Sequence, residues 1–114
     1  MTENSYKTRC GCIHYFVNII DKQKITLVFL PGLTADHRLF EKQIEYFEKK
    51  QNVFVWDAPS HALSRPFTNN YSLSDMAQWL CEILAKEEIY NPIIIGQSMV
   101  DTWLKCIWNY IRIR

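Results

Sequence analysis

Three short apolar runs limit the architecture of this chain more than any other feature. Residues 25–30 (ITLVFL), 52–56 (NVFVW) and 93–95 (III) are almost without polar side chains. A strand with one wet face alternates polar and apolar residues, whereas a strand covered on both faces reads as a continuous apolar run. Between the first two runs, residues 36–50 predict a helix. Leu39, Phe40, Ile44 and Phe47 fall on one side of it, with charges opposite. Between the second and third, Ser72-Leu73-Ser74-Asp75 has the form of a capping box. The helix it opens carries an apolar stripe of Met76, Leu80, Ile83 and Leu84, and Asn91-Pro92 stops it. Residues 57–71, with Pro59, Pro66 and Asn69-Asn70, read as a loop. Ahead of the first run, residues 5–10 and 12–20 read as two further strands, followed by a polar turn at 21–24. The order β-β-β-α-β-α-β predicts an α/β fold: a mostly parallel sheet of about five strands, with helices on its faces.

With 114 residues, the chain is long enough for a single small domain. Its 48% apolar content is enough for a packed core, which is the expectation here over disorder. A net charge of +1 gives no basic field for nucleic acid or an anionic membrane surface. Residues 1–9 are polar and mixed in charge, without a signal pattern, and no apolar run approaches bilayer length. A cytoplasmic location is expected. Cys10 and Cys12 form C-x-C, but no second pair follows at zinc-ligand spacing. These two, with Cys81 and Cys106, are read as buried or idle thiols of a reducing compartment. No metal and no cofactor is implied.

The chemistry is concentrated after the last apolar run, in Gly96-Gln97-Ser98-Met99-Val100. A serine on a sharp strand-to-helix turn is a nucleophile elbow, and its crowded backbone needs small residues two places either side. Gly96 satisfies this and Val100 does not. The plain alternative is a serine that caps a helix. Pro31-Gly32-Leu33 follows the first run. A backbone N–H there, that of Leu33, and the N–H of Met99 are candidate donors to the oxyanion of an acyl-transfer intermediate.

Three segments, in order, now carry a resemblance: Pro31-Gly32-Leu33 with Arg38-Leu39-Phe40, then Val55-Trp56-Asp57-Ala58-Pro59-Ser60-His61-Ala62-Leu63-Ser64, then Ile94-Ile95-Gly96-Gln97-Ser98-Met99. Over residues 10–99 the chain resembles the esterase-like branch of the α/β-hydrolase superfamily. The resemblance implies hydrolysis of a small-molecule ester or related acyl bond, with Ser98 as nucleophile and Leu33 and Met99 as oxyanion donors. Pro31 stands where the family has histidine, and Ser60 and Ala62 stand where it has glycines. His61 matches a structural loop histidine of the family. His14 lies in a strand and His37 at a helix start, and neither matches the general base. Asp57 and Asp101 do not match the acid. A serine without a base is a poor nucleophile at neutral pH.

The tail from Val100 onward does not resemble the family. Restoring one G after the Met99 codon permits S-M-G-G-Y-V-A-Q-M-Y-L-E-L-Y-P, which reads as the family's elbow helix. Residues 100–114 are therefore expected to be frameshifted, and residues 1–114 to be a single incomplete hydrolase domain that is inactive as it stands. The competing expectations are a tail that forms a native short helix, and a non-catalytic small α/β protein or fragment with only a binding role. An incomplete sheet would leave residues 92–95 as an apolar edge, open to self-association.

Overall fold

The computed structural model describes residues 1–31, 37–57 and 71–96. Its elements are β1 (Thr2–Lys7), β2 (Cys12–Asn18), β3 (Thr26–Leu30), a 3₁₀ turn (His37–Phe40), α1 (Glu41–Phe47), β4 (Asn52–Trp56), α2 (Leu73–Lys86) and β5 (Pro92–Gly96). The five strands form one sheet in the order β1-β2-β4-β3-β5. β3 runs parallel to both β4 and β5, whereas β2 runs antiparallel to β1 and β4. The expected five-strand α/β sheet is present. Its parallel ladders lie on the side that carries the three apolar runs.

The first hairpin begins earlier than the sequence suggests, at Thr2, and its first strand ends at Lys7. Thr8 sets that limit. Its N–H and its hydroxyl both donate to the Gly11 carbonyl at 2.8 Å, and the hydroxyl accepts from the N–H groups of Cys10 and Gly11 at 3.1 Å. Gly11 takes a positive φ of 154°, which a side chain would oppose.

β3 and β4 are buried at every position. Their period-2 alternation deals side chains to two cores. Val28, Leu30, Phe54 and Trp56 join Ile13, Tyr15 and Val17 of β2 beneath α2. Leu27, Phe29, Val53 and Val55 face Ile44 of α1, with Phe16, Phe40 and Phe47 packed against them. From α2, Met76, Leu80, Ile83 and Leu84 are all buried, as their spacing predicts. Each such side chain contributes roughly 1.5–3 kcal/mol on burial.

Both ends of α2 are closed by local hydrogen bonds. Ser72 accepts from the Asp75 N–H, and Asp75 in return accepts from the Ser72 N–H. At the other end, Ile89 N–H bonds Leu84 O and Glu88 N–H bonds Ala85 O, with Glu88 at φ 59°. This pattern is a Schellman stop, with glutamate where glycine is usual.

The first helix departs from expectation. Its first turn is 3₁₀, and regular α geometry covers only Glu41–Phe47. Leu39 is exposed instead of facing the core. A 3₁₀ turn advances by three residues rather than 3.6, so the apolar phase read from the later residues does not extend back to it.

Candidate active site

Parallel pairing gives the sheet a functional edge. Leu30 lies opposite Gly96, and Phe29 opposite Val55, so β3, β4 and β5 end side by side. In open α/β sheets ligands bind beyond these carboxyl ends. Ser98, Leu33 and Met99 all belong to segments that follow these strand ends, but they lie outside the described residues, as do His61 and residues 100–114.

At the same edge the structure brings together two residues that the sequence reading kept apart. Asp57 follows β4 directly, and its side chain is fully buried. Its Oδ1 accepts from the His37 backbone N–H at 2.8 Å and pairs with His37 Nδ1 at 2.8 Å. The Asp57 N–H donates to the His14 carbonyl, fixing the carboxylate to β2. A carboxylate withdrawn from water needs such partners, since desolvation without them is prohibitive. Asp57 thus caps the 3₁₀ turn from just beyond the end of β4, and it aligns an imidazole whose side chain stays 27% exposed. Phe16 packs against that ring, with centroids 4.5 Å apart.

Sequence reasoning missed this pair because neither residue matches the family's base or acid. A signal was nonetheless present. A carboxylate immediately after a fully apolar strand has to find a donor, and the helix start after the neighbouring parallel strand is the nearest source.

A groove of about 550 Å³ adjoins His37. Phe16, Ile44 and Val55 supply apolar wall, while Arg38, Glu41, Glu45, Glu48 and Met1 supply polar lining. The Met1 ammonium lies 3.9 Å from Glu48. Among the described residues no cluster of three or more His, Cys, Asp or Glu could hold a metal ion. Cys10 and Cys81 are buried and Cys12 is exposed, and no disulfide joins any of them to another among the described residues. No helix among the described residues is long and apolar enough to cross a membrane.

On the opposite face, α2 is tied to the first hairpin by phenol–carboxylate bonds. Tyr15 donates to Glu87 at 2.5 Å, and Tyr6 to Glu82 at 2.7 Å. Burial, then the Glu87 bond, holds the Tyr15 hydroxyl well above its ordinary range, and the Glu82 bond, then burial, raises that of Tyr6. This cluster lies away from the strand ends and acts as a structural brace.

Solved structures of several chemistries share the fold. A bromoperoxidase from Bacillus anthracis matches with a TM-score of 0.81 and 18% identity, over 96% of this chain and 40% of that one. The Cif epoxide hydrolase from Acinetobacter nosocomialis matches at 0.79 and 18%, over 96% and 35%. A 1H-3-hydroxy-4-oxoquinoline 2,4-dioxygenase matches at 0.75 and 20%, over 90% and 38%. The chain therefore spans roughly two fifths or less of the length of these proteins. At such identities the likeness speaks for the scaffold and not for one reaction. No curated protein sequence matches the chain. The model of the α/β hydrolase fold matches residues 25–99, from the first apolar run to the candidate elbow. With that match over more than half its length, and with the sheet order and strand ends described above, the chain belongs to the α/β-hydrolase superfamily.

Proposed function

We propose that the chain carries the nucleophile-bearing part of a serine hydrolase acting on ester or related acyl bonds. One observation supports this above the others. β3 and β5 are adjacent and parallel, with Leu30 opposite Gly96. The segments holding Leu33 and Ser98 thus leave neighbouring strands at the same edge, three and two residues beyond those positions. A nucleophile and an oxyanion donor need that proximity. In this reading Ser98 attacks the acyl carbon, and the N–H groups of Leu33 and Met99 receive the developing oxyanion. No cofactor takes part.

The family's general base and acid have no positional match in this sequence, so Ser98 is a slow nucleophile in the chain as given. A fluorophosphonate probe tests the assignment. Slow labelling that maps to Ser98 by mass spectrometry, and that disappears in Ser98→Ala, is the expected result. Stoichiometric labelling within minutes would reveal an activating group of another kind. An adduct elsewhere, or none after prolonged exposure, would remove Ser98 from the mechanism and favour a binding-only role.

A further inference from the structure

His37 has one ring nitrogen committed and one open. Nδ1 is held by the buried Asp57 carboxylate at 2.8 Å, and among the described residues nothing hydrogen-bonds Nε2. The same carboxylate oxygen accepts the His37 backbone N–H, so the ring and its backbone are anchored at one point. Phe16 packs against the ring, and the groove runs from His37 along Phe16, Ile44 and Val55.

We propose that His37, oriented by Asp57, is a general base in its own right, activating water against an uncharged or cationic ester seated in this groove. A carboxylate that accepts from Nδ1 selects the tautomer whose lone pair is on Nε2, and it stabilises the imidazolium formed when that nitrogen takes a proton. Nε2 removes a proton from water as the water oxygen bonds to the acyl carbon. The tetrahedral intermediate then breaks its bond to the alcohol oxygen, which leaves with the proton returned from Nε2. Ester and water become acid and alcohol, and the neutral imidazole is regenerated. Apolar Phe16, Ile44 and Val55 suit an acyl chain. Among the described lining residues Glu41, Glu45 and Glu48 outnumber Arg38 and the Met1 ammonium, which disfavours a negatively charged substrate. This route involves no seryl intermediate and does not depend on the reading of Ser98.

The experiment uses the full chain with Ser98→Ala, which closes the seryl route, and p-nitrophenyl butyrate as the probe. Hydrolysis above the buffer rate is expected, and adding His37→Gln should lower it on the order of a hundredfold, the usual scale of general-base assistance. An ester ending in a carboxylate should react more slowly than the butyrate. Equal rates with and without His37→Gln, no hydrolysis above buffer, or an acyl adduct isolated on His37 would each overturn the proposal. Nitrogen NMR of the unsubstituted chain gives a readout independent of turnover and of any misfolding in the variant. A neutral His37 protonated at Nδ1 is expected, and one protonated at Nε2 would overturn it. Labelling of Ser98 is scored separately, so the two assignments can fail independently.

Discussion

Asn52 shows how much one side chain can organise. It is buried at the start of β4, and its amide oxygen accepts from the N–H groups of Ile20 and Asp21. Its amide nitrogen donates to the carbonyls of Asp21 and, at longer range, Lys24. The turn between β2 and β3 is thus held by a residue 28 to 32 positions away. Asn52→Ala leaves several of these groups unpaired, and a loss of roughly 2–4 kcal/mol is expected in urea unfolding, since each stranded buried group costs about 1–3 kcal/mol. A loss below about half a kcal/mol, the level of an ordinary surface change, would contradict this account. Glu88 offers the opposite case. A side chain at φ 59° carries a penalty of about 1 kcal/mol that glycine avoids. Its exposed ion pair with Lys22 is worth little against that. Glu88→Gly should therefore leave the melting temperature unchanged or raise it, and Glu88→Val should lower it. Neither residue was legible in advance. Asn52 read only as the first position of a strand, and Glu88 fell within the helix region that Asn91-Pro92 was expected to stop, because their roles depend on partners and dihedral angles that spacing does not encode.

The elements themselves were legible to different degrees, for physical reasons. β3, β4 and β5 appear in the sequence because strands covered on two faces exclude polar residues. α2 appears because its cap and stripe are both local. β1, by contrast, reads TENSYK, and its strand conformation comes from backbone pairing with β2 that no apolar pattern announces. Of the candidate site, the strand ends were foreseeable and the His37–Asp57 pair was not, since it joins residues 20 positions apart across adjacent strands. The brace between the first hairpin and α2 makes a prediction at this level. Tyr15 and Tyr6 hold their protons more tightly folded than unfolded. Their contribution is complete below the unfolded phenol value of about 10 and is lost as pH rises through the elevated folded values. Unfolding free energy should fall through the alkaline range above that point, and Tyr15→Phe should flatten the fall. An unchanged alkaline limb in that variant would mean that Tyr15 is not the linked group.

At the scale of the molecule, the two outer strands of the described sheet are unlike. β1 presents threonine, glutamate, asparagine, serine and lysine, a solvated margin that discourages pairing. β5 presents Pro92, three isoleucines and Gly96, and among the described residues β3 is its only neighbour. Ile93 is 45% exposed there. Self-association through this margin is the expected behaviour of the 114-residue chain, and Ile93→Lys should reduce it without disturbing either core. Sedimentation velocity across a concentration series checks this; an unsubstituted chain that stays monomeric throughout would argue that the margin is already covered.

The strand order also bears on how the chain assembles as it is made. β1 and β2 leave the ribosome before the other described strands and can close on each other, yet among the described residues their one further sheet neighbour is β4, whose residues emerge some three dozen positions later. The helix that covers Tyr15 emerges later still. This hairpin must therefore wait, half-sheltered, until β4 arrives. Non-local docking of this kind slows folding relative to helical proteins of similar size. It also extends the interval in which a nascent chain is open to the wrong neighbour.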